Sequence, residues 1–275
     1  GIGVERADIV IEAIFEDAEV KRSLYKDIEP RMKPGALLAT NTSSIPLEEL
    51  YSALTHPERL VGLHFFNPVA MMQLVEVVNG DSTSAEAAAH AMTFTRQIDR
   101  LPLPVTSTPG FLVNRILMPY LMEAVLLEAE GVPAAVIDKA ATDFGMPMGP
   151  VQLADTEGRD ICLHVARILA GHFNATVPER LEKLVSDGHL GRKSGRGFYE
   201  YKKGKPVNRK ASAGNWNLEE ITNRLVFRLL NESVCCVREH VVESDDLLDA
   251  GMIFGTGFAP FRGGPMHHID AVGAA

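Results

Sequence analysis

The chain has 275 residues, 46% of them hydrophobic, with 36 acidic against 27 basic side chains and a formal net charge of −9. That length and apolar content fill one large core or two ordinary ones, and the acidic balance argues against a nucleic-acid partner, whose phosphates recruit clustered Lys and Arg. No apolar run approaches the roughly 18 residues of a membrane span, Gly1-Ile2-Gly3-Val4-Glu5-Arg6 lacks a signal-peptide pattern, and Cys162, Cys235 and Cys236 are too few for a disulfide framework, so a soluble protein of a reducing compartment is expected.

Ala7-Asp8-Ile9-Val10-Ile11-Glu12-Ala13-Ile14 is a short apolar run that predicts a buried strand, as do Ala36-Leu37-Leu38-Ala39 and Leu60-Val61-Gly62-Leu63. Between the first two, Val20, Leu24 and Ile28 recur every four residues and predict a helix over 17–31, with Lys21, Lys26 and Glu29 off its apolar stripe. Pro46 ahead of Leu47-Glu48-Glu49-Leu50 reads as a capped helix start. Residues 74–78 predict another strand and 84–97 another helix. The strand over 101–105 is confined to a sheet edge by Pro102 and Pro104, which cannot donate to a ladder. Strands alternating with helices imply a mainly parallel sheet.

Beyond Thr106-Ser107-Thr108-Pro109-Gly110 the period changes. Val113, Ile116, Leu117, Tyr120, Ala124 and Leu127 fall three or four apart and predict a helix over 111–130 that Pro119 kinks, with Pro133 opening the next. The remainder reads as helical and holds an internal repeat. Asn114-Arg115 recurs as Asn223-Arg224, Leu121 and Glu123 as Leu230 and Glu232, Asp138 as Asp249, Gly149-Pro150 loosely as Ala259-Pro260, and Asp155 as Asp270, at offsets of 109 to 115. An ordered series favours duplication, with the Gly- and Lys-rich segment 191–210 joining the copies.

Four groups carry chemistry: Asn41-Thr42-Ser43-Ser44, His64-Phe65-Phe66-Asn67-Pro68, Glu76, and Pro109-Gly110-Phe111-Leu112-Val113-Asn114-Arg115. Together they supply a hydroxyl, an imidazole, a carboxylate to orient it and a neutral amide. These parts take a proton from a secondary alcohol while a hydride leaves the same carbon, an alcohol being too weak an acid to ionise unaided near neutral pH. A lone histidine in an apolar strand is ordinarily a packed core residue, and the neighbours of His64 single it out. Other readings stay open: Ser43 and Ser44 suit N-caps, Asn114 a helix cap, Glu76 a solvent-facing strand position and Lys21 a solvated helix face. The run Lys202-Lys203-Gly204-Lys205 with Arg209-Lys210 reads as a solvated loop or a local anion site. The spacing of His164, His172, His189, His267 and His268 matches no zinc motif, and no metal is expected.

The set Asn41-Thr42-Ser43-Ser44, Gly62-Leu63-His64-Phe65-Phe66-Asn67-Pro68, Leu74-Val75-Glu76-Val77 and Pro109 to Arg115 resembles the L-3-hydroxyacyl-CoA dehydrogenase family over nearly the whole chain. The doubled helical region resembles the dehydrogenase part of a multifunctional fatty-acid-oxidation protein of the alpha-subunit type. The resemblance implies an α/β plus all-α fold: an N-terminally truncated Rossmann-like parallel sheet over 1–106, then a helical domain of two similar repeats, 107–204 and 205–275. It implies NAD as cofactor, an acyl-CoA substrate oxidised at its 3-hydroxyl during β-oxidation, and a thiolase subunit as partner, in a bacterial cytoplasm or an organelle matrix.

Within that resemblance His64 is the general base and Glu76 fixes its tautomer and stabilises the imidazolium. Ser43 and Asn114 bond the substrate oxygen, and Ser43 and Asn67 lie beside the cofactor. Ile14, Phe15, Glu16 and Lys21 match positions on the ribose and phosphate side of NAD, and Lys193 matches a lysine that approaches NAD from the helical domain. The stretch from Ala259 to His268 matches one that often ends in tyrosine near the acyl-CoA, where this chain has His268. The family's domain opens with a strand, a Gly-rich turn and a helix. Gly1-Ile2-Gly3 is not such a turn, so the chain reads as beginning inside that domain and weak NAD binding is expected. Two other readings stand beside this one. A sugar-acid dehydrogenase of similar architecture would place a Lys or Cys at its centre, and a non-catalytic structural module would have crystallin-like relatives.

Overall fold

The computed structural model describes residues 2–207 and 216–273. The chain divides into two compact units, Gly1–Val113 with Val237–Leu247, and Asn114–Cys236 with Leu248–Ala275. The first unit therefore takes in residues 107–113 and a returning segment that the division at 106/107 and 204/205 leaves outside it.

The first unit runs α1 (Ile2–Arg6), β1 (Ile9–Glu12), α2 (Ala18–Ile28), β2 (Leu37–Thr40), β3 (Leu60–Phe65), β4 (Leu74–Asn79), α3 (Ala85–Gln97) and β5 (Leu101–Thr106). The five strands lie in sequence order across one Rossmann-like sheet. β1, β2 and β3 are parallel, β4 is antiparallel to β3, and β5 is parallel to β4. The sheet is thus mixed, a correction to the parallel sheet read from the alternation of elements. Only residues 66–73 join β3 to β4, too few for a parallel crossover, which needs a dozen or more, so the chain must turn straight back. β5 occupies an edge, as Pro102 and Pro104 require, while β1 forms the opposite edge and leaves Ile11 and Ile14 exposed.

Leu37, Ala39, Val61, Leu63, Val75 and Val77 pack with Ala87 and Ala91 of α3 to form the core on one sheet face. Gly62 sits opposite Val78, where an added Cβ would stand 2.6 Å from the Val78 Cβ, so only glycine lets β3 and β4 close there. α2 has Asp17 as its N-cap, and its buried residues are Lys21, Tyr25 and Ile28. The expected stripe of Val20, Leu24 and Ile28 is therefore rotated, with Val20 exposed. Residues 47–53 form two short 3-10 turns rather than a helix. The Leu47 N–H donates to the Ser107 Oγ, and neither Ser43 nor Ser44 acts as an N-cap.

The second unit contains most of α4 (Val113–Ala129), then α5 (Ala134–Phe144), α6 (Pro150–Glu157), α7 (Arg159–Phe173), α8 (Glu179–Ser186), the hairpin β6 (Glu200–Lys202) and β7 (Lys205–Val207), most of α9 (Leu218–Arg238) and of α10 (Asp245–Thr256), and α11 (Pro265–Val272). The hairpin departs from the all-helical expectation. Lys203 and Gly204 both have positive φ, 50° and 73°, which is the turn that joins two antiparallel strands through two residues. Arg209 and Lys210 of the basic run lie outside the described residues. No described helix is long and apolar enough to cross a membrane.

The positions matched by the expected repeat make reciprocal contacts in this unit. Arg115 on α4 donates to Glu232 on α9 at 2.7 Å, and Arg224 on α9 lies 2.6 Å from Glu123 on α4. Asp138 accepts from the N–H of Val151 at the start of α6, and Asp249 accepts from the N–H groups of Met266 and His267 at the start of α11. Each aspartate fills the space beside a glycine: an added Cβ would overlap the Asp138 side chain at Gly149 and the Asp249 side chain at Gly264. Gly149-Pro150 and Gly264-Pro265 thus stand in the same relation to an aspartate, whereas the sequence reading pairs Gly149-Pro150 with Ala259-Pro260.

Candidate active site

Because β1, β2 and β3 are parallel, their carboxyl ends share one border of the sheet. The segments that leave there are Ala13–Asp17, Asn41–Ser44 and Phe66 onward. Open α/β sheets bind ligands at this border. Asn41 ties two of these segments together, its Oδ1 accepting from the Phe65 N–H at 3.0 Å.

The antiparallel register of β3 and β4 sets His64 directly opposite Glu76. Facing residues on one side of such a pair bring their side chains together, and the His64 Nδ1 lies 2.6 Å from the Glu76 Oε2. Glu76 is fully buried, and its other oxygen accepts from the N–H groups of Leu112 at 3.1 Å and Val113 at 2.9 Å. Those donors are aimed by Gly110 and Phe111, both in the left-handed region at φ 72° and 53°. The conformation costs a non-glycine residue roughly 1–2 kcal/mol, so Phe111 is held there by its surroundings. The same turn is bonded to the serine loop, the Gly110 N–H donating to the Ser44 carbonyl. Phe66 and Phe111 flank the imidazole with ring centroids 4.5 and 5.8 Å away. His64 is 6% exposed. A carboxylate on Nδ1 fixes the hydrogen there and leaves Nε2 as the ring's acceptor, the condition for taking a proton from a bound hydroxyl.

A second cluster lies at the carboxyl end of β1. The Lys21 Nζ is 2.7 Å from the Glu12 Oε1 and 3.6 Å from the Glu16 Oε2, and the lysine is 1% exposed. Glu12 also accepts from the Ile14 N–H, the Tyr25 hydroxyl and the Thr40 hydroxyl, each at 2.8 Å. Burial, and after it the Glu12 charge, pushes the Tyr25 hydroxyl above its ordinary range. Glu16 reaches the serine loop. Its Oε1 accepts from the Thr42 hydroxyl at 2.7 Å and from the N–H and hydroxyl groups of both Ser43 and Ser44 at 2.7–3.1 Å. Burial alone would raise the Glu16 carboxyl, but the bonds from Thr42, Ser43 and Ser44 and the charge of Lys21 outweigh it and hold the group below the usual glutamate range.

The first unit thus brings together His64 with Glu76, and Ser43 with Glu16 and Lys21. Ile14 and Phe15 are exposed just past β1, and Asn67 is exposed just past β3. Exposed apolar side chains beside hydroxyl and amide groups at this border suit the flat ring and ribose of a dinucleotide. Lys21 faces two carboxylates and no open surface. Asn114, Lys193 and His268 belong to the second unit. Lys193 is paired with Asp160 at 2.5 Å, and His268 sits edge-on to Phe144, its ring pKa lowered by burial and by Arg262. Sequence reasoning missed Glu12, Tyr25, Thr40, Asn41 as a tie, and the N–H groups of Leu112 and Val113. The one available signal was a glutamate inside the apolar run 7–14, nine positions before a lysine.

A Rossmann-like sheet with an imidazole–carboxylate pair at its carboxyl border, followed by a helical unit, is the architecture of a nicotinamide-dependent dehydrogenase. Residues 3–108 match the NAD binding domain of 3-hydroxyacyl-CoA dehydrogenase and residues 110–201 match its C-terminal domain. The chain belongs to the 3-hydroxyacyl-CoA dehydrogenase family. Among solved structures, (S)-3-hydroxybutyryl-CoA dehydrogenase from Ralstonia eutropha is 36% identical, with a TM-score of 0.70 over 73% of this chain and 72% of that one. The 3-hydroxybutyryl-CoA dehydrogenase of Escherichia coli has a TM-score of 0.83 at 28% identity, over 98% of this chain and 76% of that one. The fatty acid oxidation complex subunit alpha of Shewanella baltica is 41% identical over 286 residues, which cover 99% of this chain and 40% of that protein. The chain therefore spans about 40% of the length of the curated relatives it matches.

Proposed function

We propose that this chain oxidises the 3-hydroxyl of an L-3-hydroxyacyl-CoA to the ketone, as a step of fatty-acid β-oxidation. The observation that carries the reading is the buried His64–Glu76 pair at 2.6 Å, held by two backbone N–H groups at the sheet border where cofactors bind. The His64 Nε2 accepts the hydroxyl proton as the carbon–oxygen double bond forms, and Glu76 stabilises the imidazolium that results. NAD, when bound, supplies the ring that accepts the hydride from the same carbon. Ile14, Phe15, Glu16, Ser43 and Asn67 would hold it, with Lys193 from the helical unit. Ser43 and Asn114 hold the substrate oxygen, and orienting that carbon before reaction removes an entropic part of the barrier. His268 is assigned to the acyl-CoA side.

The same reading takes the helical part as two copies of one unit. The reciprocal pairs Arg115–Glu232 and Arg224–Glu123 and the matching aspartate caps at Asp138 and Asp249 support it. It extends to a partner: a 3-ketoacyl-CoA is the substrate of thiolytic cleavage, so a thiolase subunit is the fitting neighbour, in a cytoplasm or organelle matrix. The test is NADH formation from a 3-hydroxyacyl-CoA, with His64→Ala lowering kcat about 10²- to 10⁴-fold while acyl-CoA affinity stays close to wild type. Wild-type turnover in His64→Ala overturns the assignment.

A further inference from the structure

We propose that Asp155 and Arg159 are positioning residues for Lys193: a buried ion pair that closes the base of the loop 191–197 and so fixes where the Lys193 ammonium stands. The inference rests on the reading of Lys193 as a cofactor contact. All its parts belong to the second unit.

The loop is an exposed tip on a buried base. Arg192, Lys193, Ser194, Gly195 and Arg196 are exposed, while Gly191 before them and Tyr199 after them are buried. Within the tip, Arg192–Ser194 form a 3-10 turn, the Gly191 N–H donates to the Arg196 carbonyl at 2.9 Å, and the Ser194 hydroxyl donates to the same carbonyl. The tip is therefore a small tied unit, and its placement is decided at the base.

Asp155 lies between the two arms of that base. An added Cβ at Gly191 would stand 2.3 Å from the Asp155 carbonyl oxygen, and one at Gly197 would stand 2.3 Å from its side-chain oxygens, so glycine is what lets both arms close on it. The buried carboxylate accepts from the Phe198 N–H at 3.1 Å, the Tyr199 N–H at 3.0 Å and the Tyr201 hydroxyl at 3.1 Å. These bonds hold the arm that leaves the tip.

Arg159 holds the arm that enters it. Its Nη1 donates to the His189 carbonyl at 3.1 Å, its Nε donates to the Asp155 Oδ1 at 2.8 Å, and its guanidinium lies 3.8 Å from the centre of the Phe198 ring. One planar cation thus links both arms to the carboxylate, a task that needs the rigid fork of arginine. The next residue completes the arrangement. Asp160 lies 2.5 Å from the Lys193 Nζ, and an added Cβ at Gly158 would stand 3.0 Å from that same atom, so the start of α7 carries both the clamp on the loop and the seat of its lysine. Holding a long side chain at one place reduces the freedom it must lose on binding a ligand.

The experiment compares the whole chain with Asp155→Asn/Arg159→Met, Arg159→Lys, Asp160→Ala, Lys193→Ala, and Lys193→Ala added to the Asp155→Asn/Arg159→Met pair. The pair variant removes both charges together, so no uncompensated charge remains inside to prevent folding. Acetylation of Lys193 by acetic anhydride is followed by mass spectrometry, with Lys139, similarly exposed and paired with Asp143, as internal reference. NAD affinity and kcat are measured alongside. Asp160→Ala, which frees Lys193 directly, should speed its acetylation by about two- to fivefold, the range an exposed ion pair allows. The pair variant should reach most of that increase and Arg159→Lys part of it, with Lys139 unchanged. NAD affinity should fall in the pair variant by no more than in Lys193→Ala, with kcat changing less, and the combined variant should bind NAD no more weakly than Lys193→Ala alone. Unaltered Lys193 acetylation in the pair variant overturns the proposal, as does an additive loss of NAD affinity in the combined variant. Acetylation that rises equally at Lys139 overturns it in favour of a purely structural role. If the pair variant does not fold, Arg159→Lys decides in the same terms. Because acetylation needs no cofactor, wild-type NAD affinity in Lys193→Ala would sink the reading of Lys193 and leave the loop's anchoring standing.

Discussion

Replacing Glu76 with glutamine keeps its shape and changes one acceptor oxygen into a donor. The carboxylate is fully buried and its two oxygens face different partners, Oε2 the His64 Nδ1 and Oε1 the N–H groups of Leu112 and Val113. If the oxygen of the new amide stays on the backbone donors, its NH2 meets Nδ1, which must become the acceptor. The ring hydrogen then moves to Nε2, the atom proposed to receive the alcohol proton. If the amide flips, its NH2 faces two N–H donors, and each unmet group costs about 1–3 kcal/mol, roughly 2–6 kcal/mol together. The first arrangement wins on that comparison. Glu76→Gln therefore folds with a loss of about 1–2 kcal/mol, as charge-assisted bonds become neutral ones, and loses about 10²- to 10⁴-fold in kcat because the surviving tautomer cannot accept a proton. Steady-state NADH absorbance gives the rate, and nitrogen NMR of the His64 ring gives the tautomer without any need for turnover. A ring that keeps its hydrogen on Nδ1, or a variant with wild-type kcat, refutes the reasoning.

Glu16 makes a prediction in pH. A carboxyl held below its usual range in the folded chain stabilises it fully above that range and ceases to do so as pH falls through the lowered value. The stability difference between wild type and Glu16→Gln, from urea midpoints, should be constant from neutral pH down to the ordinary glutamate range and shrink below it; a difference that persists unchanged in acid contradicts the assignment. In the helical unit, Gly149→Ala and Gly264→Ala should each cost about 1–3 kcal/mol or more, since the new Cβ overlaps the Asp138 or Asp249 side chain. Combining Gly149→Ala with Asp138→Ala should cost less than the sum of the two, and strict additivity in chemical denaturation rules out the overlap. Tyr120 is buried with no hydrogen-bond partner for its hydroxyl among the described residues, so Tyr120→Phe should be neutral or stabilise by about 1 kcal/mol; a clear fall in Tm means the hydroxyl has a partner.

What the sequence made legible was contact between near neighbours in the chain. His64 and Glu76, twelve positions apart, belong to adjacent strands joined by a short link, and the same link length implied the antiparallel return that the alternation of elements concealed. Within the proposed repeat the charged positions meet in two reciprocal pairs, while the Gly-Pro match falls elsewhere than the sequence reading puts it. Ala259-Pro260 lies 110 positions after Gly149-Pro150 and Gly264-Pro265 lies 115 after it, both within the offsets of the series, so the distinguishing mark is the aspartate that caps the following helix, and it selects Gly264-Pro265. The face of α2 was misread because periodicity assigns every lysine to solvent. Lys21 turns inward because its charge is cancelled by Glu12 and Glu16, and those two are placed by Tyr25, Thr40 and the serine loop, all contacts across segments.

Family resemblance gives Lys21 and Lys193 the same kind of task, contact with the cofactor, and burial separates them. Lys193 is 45% exposed and its partner Asp160 is 41% exposed. An exposed pair of that kind contributes about 0–1 kcal/mol, so separating it costs little. Lys21 has no such freedom, because displacing Glu12 or Glu16 would leave a carboxylate unpaired in the interior, and breaking a buried pair costs several kcal/mol. A residue that must release its partner to bind ligand belongs at the surface, and one that must never release it belongs inside. By that criterion Lys193 has the exposure a ligand contact needs, whereas Lys21 is held inside between Glu12 and Glu16.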